Sequence, residues 1–164
     1  MLLLGKFLPT ILLIVLIGGC GFQLRSADIS GLEAISLSGQ AAGGLRRELE
    51  AFLEANDVKS VAPGPNIVDV RLLDVRSSRR PVATSVRMDA AQYELRLEVD
   101  VVLILDGKPV VADFSLAAQR IYSLDSLNLS GSYEEEQLLM SEIREEIVNL
   151  IVFRLEAWLQ ATNR

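Results

Sequence analysis

The chain has no histidine and one cysteine in 164 residues. The first absence removes Ser-His-Asp and Cys-His catalysis and every histidine-containing metal site. The second removes internal disulfides and multi-cysteine zinc sites. Positive charge is not in excess either. Sixteen Lys and Arg face 22 Asp and Glu, for a net charge of −6. A global basic patch for nucleic acid is therefore excluded, and any anion site has to be local. There is no P-loop, no dinucleotide-binding glycine pattern and no Gly-x-Ser-x-Gly elbow. Nothing in the sequence points to an enzyme or calls for a cofactor, and the length suits one domain.

Half of the residues are hydrophobic, a share inflated by the first nineteen. Lys6 is followed by an apolar run from about Phe7 to Ile17, then Gly18-Gly19 and Cys20. This is the layout of a signal peptide over residues 1–19. The run is about half of the ~20 residues that a membrane-spanning helix needs. Three fates are open: a retained anchor, ordinary secretory cleavage, or lipidation of Cys20. Small residues directly before a cysteine resemble a bacterial lipobox, in which the thiol carries diacylglycerol and the new N-terminus is acylated. With Gly21 rather than aspartate after the cysteine, that resemblance implies the outer membrane and a periplasm-facing protein. Removing residues 1–19 takes away Lys6 and no acid, so the net charge becomes −7.

Residues 20–30 read as a lipidated tether and residues 31–164 as a single domain. Ile35 to Ser38 alternates like a short strand. Leu45, Leu49, Phe52 and Leu53 recur at helical spacing, with release near Asn56-Asp57. Pro63-Gly64-Pro65-Asn66 is a breaker. Val68, Val70 and Leu72 mark a second strand, and a phase slip at Leu72-Leu73 predicts a bulge. Residues 77–90 read as a polar loop. From Tyr93 to Leu105 every odd position is apolar or aromatic, over a run of about 14 residues or ~46 Å. Asp106-Gly107 is the favoured two-residue hairpin turn, and the returning strand runs from about Lys108 to Tyr122. Ser132 is positioned to cap a last helix, with Glu134, Glu135 and Glu136 in its first turn and an apolar stripe from Leu139 to Leu159. The expected fold is α+β, a mostly antiparallel four-stranded sheet in the order β-α-β-β-β-α with two helices on one face.

Among candidate sites, the acidic run Glu134 to Glu136 reads as a solvated helix turn, because consecutive helical residues point about 100° apart and do not converge. Arg79, Arg80 and Arg87 are the densest basic group after the leader, expected at the tip of a long hairpin. Arginine's planar fork suits phosphate, and a solvated turn is the bland alternative. Val102 and Ile104 give the long strand a second apolar face, which a partner is expected to cover.

Cys20-Gly21-Phe22-Gln23-Leu24-Arg25 resembles the mature start of the LptE family, lipoproteins of lipopolysaccharide assembly. The likeness continues through Ala91-Gln92-Tyr93-Glu94-Leu95, the hairpin ending at Asp106-Gly107, Arg120 ahead of an aromatic, and a closing helix with Glu-rich sequence near its start. The resemblance implies a non-enzymatic, lipid-anchored plug and assembly partner of the LptD β-barrel translocon that binds lipopolysaccharide on its way to the outer leaflet. It also implies a basic residue in the turn before the Tyr93 strand, which Arg87 matches. Arg79 and Arg80 join it on local charge alone. Near the start of the last helix, where the family has a further basic residue, this chain has Gly131-Ser132-Tyr133. The alternative function is a lipid-carrying auxiliary lipoprotein of an envelope ABC transport system.

Overall fold

The computed structural model describes Ile29 and residues 31–40, 44–84 and 90–162. The leader, Cys20 and Arg87 lie outside the described residues. The elements are β1 (Ala34–Gly39), α1 (Leu45–Ala55), β2 (Lys59–Val61), β3 (Val68–Thr84), β4 (Ala90–Leu105), β5 (Lys108–Pro109), β6 (Phe114–Asp125) and α2 (Leu129–Thr162).

The four-stranded, mostly antiparallel expectation is corrected to a six-stranded mixed sheet. Its order is β2-β1-β3-β4-β5, with β6 also paired to β4. Strand β1 runs parallel to both β2 and β3, because the chain leaves β1 through α1 and returns in the same direction. Strand β2 is three exposed residues, too short and too polar to register as alternation. The expected return strand is split. Lys108–Pro109 pairs with Leu105 and Ile104, and pairing resumes in a different register at Phe114 opposite Val101.

Two further expectations move. Strand β3 continues to Thr84, so residues 77–84 are strand and not loop. At 17 residues it is ~56 Å long at the usual rise. The last helix begins at Leu129, not Ser132, and the Asn128 side chain accepts the Gly131 N–H at 3.1 Å as its cap. Ser132 lies inside the first turn, where its hydroxyl accepts the Asp125 N–H at 2.9 Å. The bulge does fall where the phase slips, between Leu72 and Asp74. The hairpin turn has Asp106 at φ 51° and Gly107 at φ 77°, the two positive values a tight turn of this kind requires.

One sheet face carries the core. Val70, Leu72, Leu95, Leu97, Val99 and Val101 pack with Leu45, Leu49 and Leu53 of α1 and with Ile143, Ile147, Ile151 and Leu155 of α2. These helical sets sit four residues apart, so each forms a single stripe. Helix α2 spans 34 residues, ~51 Å, and follows the long strands. Among the described residues no helix is long and apolar enough to cross a membrane. Arg144 of α2 donates to Glu48 of α1 at 2.6 Å and ties the helices together.

The opposite face is polar. Arg71 bridges to Asp69, Arg76 to Asp74 and Asp100, and Arg96 to Glu98. Val102 is buried, against expectation. The loop after β2 lies near that end of the face: Pro63, Gly64, Pro65 and Ile67 line a cavity with Ile104, and the Asn66 N–H donates to Asp106 at 2.9 Å. For Val102 the chain itself supplies the cover that a partner was expected to give, while Ile104 stays half-buried.

Candidate functional site

The arginines expected together at a hairpin tip are separated by the strand alternation. Arg79 and Arg80 are consecutive residues of β3, and their side chains take opposite faces. Register places Arg79 across from Leu95 and Arg80 across from Glu94. Thr84 pairs with Ala91 beyond them, so both lie on the body of the sheet short of its end.

Arg79 is on the helix side. Its guanidinium lies over the Tyr93 ring at 4.0 Å and reaches to 5.8 Å of the Tyr122 ring centre. Tyr93 and Tyr122 are cross-strand partners with ring centres 6.0 Å apart. Arg79 Nε donates to the Tyr122 hydroxyl at 2.8 Å and stands 3.5 Å from Glu136 Oε2 on α2. The Tyr122 hydroxyl in turn donates to Glu136. Burial, and secondly the bond to Glu136, push the Tyr122 phenol above its ordinary value. A cation over an aromatic face at such a half-open site contributes on the order of 1 kcal/mol. The result is an oriented guanidinium with a carboxylate already beside it.

Arg80 is on the polar side. It meets Glu94 through two bonds, Nε to Oε1 at 2.7 Å and Nη2 to Oε2 at 3.2 Å. The Arg80 side chain is 67% exposed and the Glu94 side chain 6%. The Arg80 hydrogen bond holds the Glu94 carboxyl below the usual glutamate range. Arg80 presents charge to solvent, but part of its fork is committed. Arg120 is a third cation along this end, bonded to Glu146 at 2.8 Å and near Glu142 at 3.6 Å.

Tyr93, Tyr122, Glu94 and Glu136 are partners of the arginines that the sequence does not announce. The tyrosines read as ordinary strand positions. Glu136 read as a solvated first-turn acid, whereas the helix starts earlier and its side chain is mostly covered. The one available signal was the aromatic content of the strand start, and it does not specify a cation.

Chemically the cluster can orient a cation toward an anion. Among the described residues no group of three or more acidic or thiol side chains could hold a metal. A cavity of about 600 Å³ beside α1 is lined by Glu50, Glu54, Asp57, Lys59 and Ser60 with Val58 and Val61.

The model of a family described as LptE, lipopolysaccharide-assembly, matches residues 29–155. The fold is similar to the crystal structure of rare lipoprotein B from Shewanella oneidensis, with a TM-score of 0.69 at 23% identity, covering 80% of this chain and 99% of that one. It is also similar to the solution structure of an uncharacterized lipoprotein B from Nitrosomonas europaea, at 0.68 and 20%, covering 86% and 94%. A minor lipoprotein from Acinetobacter baumannii gives 0.64 and 20%, covering 76% and 91%. No curated protein matches in sequence. At these identities the solved structures establish a shared fold.

Proposed function

The chain belongs to the LptE family of lipopolysaccharide-assembly lipoproteins, and on that premise we propose that its long sheet fills the lumen of an LptD-type barrel and meets lipopolysaccharide phosphates at the β3–β4 end. Membership makes it a non-catalytic, lipid-anchored protein of the outer membrane facing the periplasm, working with the lipopolysaccharide and LptD system. The finer parts of the reading are the plug position, acyl chains on Cys20, and phosphate contact through Arg87, Arg79 and Arg80.

The observation that carries the reading is the family match over residues 29–155. The sheet supports it. Its polar face neutralises its own charges in rows of ion pairs, so it can lie against a polar barrel interior without stranding one sign of charge. Arg79 and Arg80 lie on β3, ahead of Arg87 in the chain. The carrier alternative has no support in the family match.

Changing Arg79, Arg80 and Arg87 together to glutamine tests the phosphate contact. Lipopolysaccharide binding should fall by at least about tenfold, since charge-assisted bonds carry roughly 1.5–3 kcal/mol each before solvent screening. Unchanged affinity in a folded triple variant moves the site elsewhere. For the plug, a photoreactive residue in place of Gln119, exposed on the polar face of β6, should cross-link to the barrel in cells. Cross-links only to other periplasmic proteins count against the lumen position.

A further inference from the structure

Arg79 already has an anion. Glu136 approaches its Nε at 3.5 Å, and the Tyr122 hydroxyl lies between them, accepting from Arg79 and donating to Glu136. Tyr93 fixes the plane of the guanidinium from below at 4.0 Å. Among the described residues neither terminal nitrogen of Arg79 donates a hydrogen bond, and the side chain is 39% exposed. The fork is therefore oriented and still reachable, while its charge is opposed by a carboxylate from a different element.

A phosphate offers the same kind of acceptor oxygens as Glu136 with more charge. Both anions beside one guanidinium repel each other, which disfavours joint occupancy. We propose that Glu136 is a resident competitor: its carboxylate opposes Arg79 in the free protein, and a lipopolysaccharide phosphate binds by taking Arg79 over. This rests on the reading that lipopolysaccharide phosphates reach this end of the sheet, and it adds the element that regulates their entry. Because Arg79 is on β3 and Glu136 on α2, the exchange also releases one tie between the hairpin and the helix. Binding is thereby coupled to how firmly the start of α2 is held.

The test uses the full-length lipoprotein in detergent, with lipopolysaccharide and the same preparation stripped of its lipid A phosphates. Glu136→Gln keeps an acceptor for the Tyr122 hydroxyl and removes the competing charge. It should bind intact lipopolysaccharide about two- to fivefold tighter, the range a half-exposed ion pair carries. The gain should vanish on the dephosphorylated ligand and in the Arg79→Gln/Glu136→Gln double variant. Should Glu136→Gln fail to fold, Glu136→Ala carries the same expectation. Equal affinity of wild type and a folded Glu136 variant overturns the competitor while leaving the phosphate reading standing. An equal gain on the dephosphorylated ligand overturns it too. A wild type that binds no lipopolysaccharide overturns the reading and the competitor with it.

Discussion

Three carboxylates on the polar face titrate below their ordinary values, each because of a named arginine. Arg80 lowers Glu94, Arg96 lowers Glu98, and Arg76, followed by Ser115, lowers Asp100. A carboxyl depressed in the folded state stabilises the fold at pH above its ordinary value and loses that contribution as pH falls through the folded one. The ordinary values are 4.5 for glutamate and 3.8 for aspartate. The thermal midpoint should therefore hold from neutral pH to about 4.5 and drop below it. Glu94→Gln should flatten part of that drop, and a midpoint independent of pH across this window contradicts the pairing. At the alkaline end the sign reverses. Tyr122 titrates above its ordinary value of 10.0, so its contribution is complete below pH 10 and is lost as pH rises. Tyr122→Phe should reduce the alkaline loss seen in melting curves. Of the residues at the site, Arg79 and Arg80 could be singled out from sequence, since charge density is visible along a chain. Their partners were not, because Tyr93, Tyr122, Glu94 and Glu136 lie on three other elements and become neighbours only through the register.

Helix α1 and the end of β1 show what local pattern can and cannot announce. The spacing of Leu45, Leu49 and Leu53 predicts the helix and its buried stripe, and all three are buried. Leu53→Ala, at a fully buried position, should cost about 2–5 kcal/mol in denaturant unfolding. A loss under about 1 kcal/mol means the helix is not packed as described. Gly39 ends β1 at φ 89°, and a Cβ there would stand 2.1 Å from the Leu72 carbonyl oxygen. Gly39→Ala should destabilise by more than about 1 kcal/mol, through both the left-handed backbone and the overlap. In the sequence Gly39 is set apart only by opening the run Gly39-Gln40-Ala41-Ala42-Gly43-Gly44. Its necessity comes from β3 lying alongside. Strand β2 and the far half of β3 were illegible for a related reason. An edge strand of exposed residues has no apolar alternation, and neither does residues 77–80, Ser-Ser-Arg-Arg.

At the scale of the whole molecule, two helices on one face of a sheet were legible because each contributes a continuous apolar stripe. The mixed topology was not, since parallel pairing of β1 depends on the route through α1 and not on side-chain pattern. The expectation that a partner covers Val102 is overturned by its burial within the chain, which no local sequence pattern announces. What remains is an elongated, self-neutralised sheet backed by helices, in a family defined by lipopolysaccharide assembly. The most direct test is to isolate the intact lipoprotein from outer membranes in mild detergent and weigh what accompanies it. A large β-barrel should co-purify in equimolar amount and persist through washing. Recovery of the lipoprotein alone, or with inner-membrane transporter subunits and no barrel, contradicts the account.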